Sequence, residues 1–197
     1  MPGTAKSSSE LLRIFNILKD LSMEFDPPAA RSRYTEFPSL AEHIAKLFAE
    51  DRIFDVLPRL EIQLQIATRY DLPVRPALDP YISTQIGIFS KTFSDMETGH
   101  FLNYPDCCIK SFSEEIRYGL DERHREELGS TKDKVFVTTA GFVPHSVFCG
   151  EAHSRGLACF VDRANVPILR NLEKELAYAL PHCHSEYQQH YFEIMDE

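Results

Sequence analysis

The side chains of this 197-residue chain that are able to do chemistry are its thiols and imidazoles, and they are unevenly placed. All five cysteines and seven of the eight histidines lie between His100 and His190. The densest run is Pro144-His145-Ser146-Val147-Phe148-Cys149-Gly150-Glu151-Ala152-His153. On a helix, His145, Cys149 and His153 stand four apart and share one face. An ion about 2.0–2.3 Å from each donor does not take three ligands stacked over two full turns. Two neighbouring ligands plus one brought in by a bend is the workable arrangement, and Gly150 can supply the bend.

The second segment is Asn103-Tyr104-Pro105-Asp106-Cys107-Cys108. Adjacent cysteines on a helix diverge by about 100°, so both reach one ion only where the backbone is irregular. Pro105 puts them at a helix start, where orphan amides and the dipole favour thiolate, the metal-binding form. Cys107, Cys108, His145, Cys149 and His153 are therefore the candidate ligands. Thiolate with imidazole suits zinc better than iron. Burial as a small hydrophobe is the leading reading for Cys108 on its apolar face, although it stays among the candidate ligands, and for Cys159 between Ala158 and Phe160. His182-Cys183-His184 reads as a polar turn after Pro181, with Cys183 and His184 as reserve ligands. His43, His124 and His190 sit among charged residues and read as surface side chains. Glu151 lacks the H-E-x-x-H spacing of a metal hydrolase and reads as a solvated carboxylate. Neither a glycine-rich phosphate loop nor a G-x-S-x-G nucleophile turn is present.

Tyr104-Pro105-Asp106-Cys107-Cys108, with Phe112 four residues on, resembles the Y-P-x-C-C-x-x-x-F signature of an uncharacterised prokaryotic domain family. In that family a Pro-His and then a pair of cysteines follow some tens of residues later. Pro144-His145 and Cys149 resemble this second half, and His153 stands in place of the second cysteine. The exchange keeps a metal-competent ligand. The resemblance covers residues 104 to 153 and implies one shared site, with no activity attached.

These ligands need elements to carry them. Residues 1–9 read as a flexible tail, and 10–197 as a single domain made of a helical layer (10–95) and a Cys/His-rich half (96–197). Ser8 or Ser9 suits the N-cap of a first helix whose apolar stripe is Leu11, Ile14, Phe15, Leu18 and Leu21. Pro27-Pro28 ends it, Pro38-Ser39 opens a second, and a third runs from about Asp55 to Tyr70. The spacing also predicts a helix over Tyr81 to Phe93. Pro105 opens the helix of Cys108, Ile109, Phe112 and Ile116. Val135 to Thr139 is the best strand, Ser146 to Gly156 a short helix, and Leu157 to Val161 a strand or buried turn. Pro167 opens an amphipathic helix through Leu180, and a last helix is expected from Tyr187 to Met195. The fold class is mainly α, an α+β arrangement with a small β component.

Composition bounds the function. With 43% hydrophobic residues, 14 Phe, 8 Tyr and 26% charged residues, the chain can bury a full core. A formal charge of −9 repels phosphate backbones and disfavours non-specific nucleic-acid binding. No stretch suits a signal peptide or membrane span, so the expected location is the cytoplasm, where thiols stay reduced. Three functions fit. A metal-dependent enzyme needs an open position on the ion, which loop-supplied ligands favour. A helical interaction protein with a structural metal needs four protein ligands. A thiol redox protein using Cys107-Cys108 ranks last, because a vicinal disulfide strains its peptide. The sequence names no partner.

Overall fold

A computed structural model of the chain describes residues 6–89, 92–115, 119–129, 134–181 and 190–195. Four helices come first: α1 (Lys6–Ser22), α2 (Pro27–Arg33), α3 (Pro38–Ala49) and α4 (Val56–Ala67). The apolar stripe of α1 is buried as its spacing predicts, with Leu11, Ile14, Leu18 and Leu21 fully enclosed against Leu40, Ile44 and Leu60. Lys6 to Ser9 are already helical, so Ser8 and Ser9 lie inside α1 and not at its N-cap. Pro27-Pro28 does more than stop α1. It opens α2, since proline at the first helical positions loses no hydrogen bond.

Next come α5 (Pro80–Gln85), α6 (Asp95–Phe101), α7 (Asp106–Glu115) and α8 (Glu122–Leu128). The helix predicted over Tyr81 to Phe93 is confined to its first turns, because Gly87 takes φ +82° and redirects the chain. The sequence pattern did not mark α6, which Ser94 caps by accepting the Glu97 amide. Ile116, Tyr187 and the His182-Cys183-His184 group lie outside the described residues.

The β component is a three-stranded antiparallel sheet. Its strands are β1 (Lys134–Thr139), β2 (Ala158–Asp162) and β3 (Phe192–Met195), with β1 in the centre. A five-residue α9 (Gly150–Ser154) precedes β2. The turn Arg163–Asn165 and α10 (Val166–Ala179) follow it. The last-helix prediction is overturned at its C-terminal end, where Phe192 to Met195 pair with Thr139 to Phe136. The reason is long-range: the buried Glu173 carboxylate of α10 accepts the amides of Tyr191 and Phe192 at 3.1 Å each and sets the chain against β1.

β1 is buried on both faces, and this fixes what each face supports. Val135 and Val137, with Cys159 and Val161 of β2, pack on Leu169, Leu172 and Leu176 of α10. Phe136 and Ala158 face the other way, onto Cys108, Val147, Cys149 and Ala152. Cys159 is 7% exposed opposite Val137, the buried hydrophobe its neighbours predict. No helix among the described residues is long and apolar enough to cross a membrane.

Candidate metal centre

The first ligand segment is the opening turn of α7. Asn103 takes φ +56°, a conformation asparagine tolerates, and the Tyr104 amide donates to the Gly99 carbonyl at 2.7 Å. The chain therefore folds back tightly after α6. Pro105 then gives its carbonyl to the amides of Cys108 and Ile109 at 2.9 and 3.0 Å, starting the helix. Cys107 and Cys108 occupy that first turn with sulfurs 3.9 Å apart, Cys107 exposed and Cys108 1% exposed.

The second segment is not the helix that the four-residue spacing predicts. α9 starts only at Gly150, so His145 lies in a loop and Cys149 at the N-cap position. The bend has a cause: α8 holds the loop. Glu127 accepts from the Ser146 hydroxyl at 2.9 Å and the Val147 amide at 2.7 Å. His124 donates through Nε2 to the Pro144 carbonyl at 2.8 Å. The Cys149 amide then closes a turn onto the Ser146 carbonyl.

Four donor atoms converge as a result. Cys107 Sγ is 3.8 Å from Cys149 Sγ, Cys108 Sγ is 3.6 Å from Cys149 Sγ, and Cys108 Sγ is 3.5 Å from His145 Nδ1. All four lie within 4.8 Å of one another. The fifth expected ligand, His153, is not in this group. One turn into α9, its Nε2 donates to the Val147 carbonyl at 2.7 Å, and its ring stacks on Phe160 at 5.7 Å.

The electrostatics correct a second expectation. The start of α7 was to lower the thiol pKa values. Instead burial raises Cys108 well above the ordinary range, against a hydrogen bond to His145 that lowers it. Cys107 is also raised, by burial first and then by Cys149. Desolvation and like-charge neighbours outweigh the dipole. A nearby cation would offset the burial that raises Cys107 and Cys108, and thiolates stabilised in that way are the ligands of soft metal sites.

Sequence reasoning missed the residues that hold the donors. His124 is fully buried, not a surface side chain, and forms a capping box with Asp121 at the start of α8. Asp121 three residues before His124 was a readable signal for that cap. Arg155 follows α9 and donates to the carbonyls of Asn103 and Tyr104, at 3.3 and 3.1 Å, while pairing with Glu151. It joins the two ligand segments without touching a donor. Glu151 is exposed, as its helix-face position predicts. Asp106 is exposed as well and pairs with His100.

A family described as "Protein of unknown function (DUF483)" matches residues 60–177. The chain belongs to this family. All four converging donors fall within the DUF483 span, which agrees with the uncharacterised prokaryotic family implied by the motif. An uncharacterised protein of Methanocaldococcus jannaschii is 36% identical over 166 residues, 81% of this chain and 89% of that relative. Another, from Methanothermobacter thermautotrophicus, is 41% identical over 146 residues, 72% of this chain and 80% of that relative. No solved structure matches the chain.

Proposed function

We propose that this DUF483 protein is a cytoplasmic zinc protein whose ion is structural, bound by Cys107, Cys108, His145 and Cys149. One observation carries the reading: the three sulfurs stand at the separations of three corners of a tetrahedron, with the His145 imidazole beside them and all four donors within 4.8 Å of one another. Sulfurs about 2.3 Å from a shared zinc stand about 3.8 Å apart, and a sulfur and an imidazole nitrogen about 3.5 Å apart. The sulfur separations are 3.6, 3.8 and 3.9 Å, and the sulfur–nitrogen contact is 3.5 Å. Zinc there would cross-link the α7 turn to the 145–149 loop. It would also neutralise thiols that burial otherwise keeps protonated.

Four protein donors leave no position for water, which favours the structural role over metal-dependent catalysis. Zinc suits a Cys₃His set better than iron does as a mononuclear ion. The redox reading loses support, because a reactive thiol needs a lowered pKa and these are raised. His153 is read as a positioning residue that holds the Val147 carbonyl beneath the loop. The free thiols among the described residues suit a reducing compartment.

Elemental analysis of the purified protein, followed by cobalt substitution, tests this. About one zinc per chain and a tetrahedral cobalt spectrum unmoved by azide are expected. A spectrum that shifts with azide means an exchangeable position and overturns the structural assignment. Absence of stoichiometric metal overturns the site.

A further inference from the structure

Arg75 is 1% exposed, yet it has no carboxylate partner among the described residues. Its Nη2 donates to the Leu102 carbonyl, whereas Nε and Nη1 have no hydrogen-bond partner among the described residues. The backbone keeps it inside: the Arg75 amide donates to the Gly156 carbonyl at 2.8 Å, and its carbonyl accepts from the Thr139 hydroxyl at 2.8 Å. The groups that act on it electrostatically are the Tyr104 phenol first and then Glu10, whose carboxylate is already engaged by Arg13 and by Asn103. Arginine is almost never fully buried unpaired, because the uncompensated charge is strongly unfavourable.

Arg75 stands in the wall of a cavity of about 480 Å³, within the usual range for small-molecule sites. The wall is mostly apolar, with Leu78, Ile88, Phe93, Ile109, Phe112 and Phe142 contributing, while the exposed Asp95 and His190 also line it. Cys108 also reaches it, so the cavity adjoins the ligand cluster without containing it. A buried guanidinium whose Nε and Nη1 lack partners, at the wall of a mostly apolar cavity, matches one ligand chemistry: an acidic head group on an apolar body.

We infer that this cavity is a binding site for a small amphipathic anion, with its carboxylate or phosphate head on Arg75. Arg75 is the specificity-determining residue, since a guanidinium N–H makes a stronger, charge-assisted hydrogen bond to an acidic oxygen than to a neutral one. The apolar wall receives the rest of the ligand and distinguishes it from free inorganic anions. The inference stands apart from the zinc assignment, because none of its polar contacts uses a donor of that cluster.

Calorimetric titration of the purified full chain with octanoate, octyl phosphate, octanol and octylamine tests it. At least one of the two anions should bind at least about tenfold more tightly than octanol, the size of a charge-assisted hydrogen bond. Which anion binds more tightly identifies the head group. Octylamine should bind more weakly than octanol. Arg75→Met should reduce anion affinity to the level of the alcohol while leaving the ligand-free protein at least as stable as wild type, since an unpaired buried charge has been removed. Thr98→Phe, at the half-buried cavity wall, should weaken anion and alcohol alike, and it keeps the proposal testable if Arg75→Met does not fold. Equal affinity for the anions and octanol in wild type, or undiminished anion binding by folded Arg75→Met, would overturn the proposal.

Discussion

Cys149→Ser isolates the contribution of the ion, because serine is a better N-cap than cysteine. Cys149 stands at the N-cap of α9 and its side chain makes no capping hydrogen bond there. Serine at that position can accept an amide of the first turn, so the metal-free variant should be no less stable than metal-free wild type. Any loss seen with zinc present is then a loss of the cross-link. The ion would tie Cys107 to Cys149 across 42 positions. For a covalent cross-link closing a loop of that length, the chain-entropy relation gives about 4 kcal/mol at 25 °C. Mass action gives the same size when free zinc is about a thousandfold above Kd. For a chain of this length, about 1 kcal/mol moves Tm by roughly 2–4 °C, so removing zinc from wild type should lower Tm by roughly 8–16 °C. Differential scanning calorimetry of both proteins, in buffered zinc and in chelator, reads this directly. Cys149→Ser should lose most of the zinc response. A wild-type melt that ignores zinc, or a variant that keeps the full shift, would refute the reasoning.

Three further outcomes follow from particular contacts. His124→Leu leaves the Pro144 carbonyl without its buried donor; it should cost about 1–3 kcal/mol in urea denaturation and weaken zinc in competition with a chromophoric chelator. Cys159 is pushed up to about 12 by burial from an ordinary value of 9.0, so its neutral form is the one the fold favours. Its stabilising contribution is complete below about pH 9 and is lost as pH rises toward 12. The wild-type urea midpoint should therefore fall more steeply than that of Cys159→Val above pH 9, by at most about 1.4 kcal/mol per pH unit. Gly99→Ala would place a Cβ 2.5 Å from Ile109 Cδ1 and 2.6 Å from its Cγ1, so the Ile109 side chain must give way. The overpacking should cost about 1–3 kcal/mol on thermal or urea denaturation, outweighing the better helix propensity of alanine.

The residues that sequence patterns located and those they missed differ in a physical way. The stripes of α1 and α10, the proline starts of α3 and α10, and the β-branched run of β1 are local signals, and each is legible in a window of a few residues. Cys107, Cys108, His145 and Cys149 were legible by residue type, since soft donors are few in this chain. Their arrangement was not. The four-residue spacing of His145, Cys149 and His153 imitates a helix, yet Glu127 and His124 of α8 capture the loop first and leave α9 only five residues. β3 escaped notice because its pairing with β1 spans most of sixty residues and depends on the buried Glu173. Arg75 lies in a proline-punctuated connection, where a charged residue ordinarily points to water. Only its backbone anchors, at Gly156 and Thr139, turn it inward.

The supports of the donor cluster also decide what kind of dependence on metal the protein should show. A site formed solely by its ion collapses when the ion leaves, as in small zinc domains that fold only with metal. Here the loop is held by Glu127 and His124, the α7 turn by Gly99 and Pro105, and the two segments are joined by Arg155. None of those bonds passes through a donor sulfur or through the His145 ring. Phe136, Val147 and Ala152 pack beneath the cluster as fully buried hydrophobes. A loss of about 4 kcal/mol from the roughly 5–15 kcal/mol typical of a folded domain leaves a native state in most of that range. The metal-free protein should therefore keep its far-ultraviolet circular dichroism and a cooperative, lower melt. The ion would then act as a clamp on a site the fold has already assembled, and a metal-free chain without cooperative unfolding would show that the clamp is what assembles it.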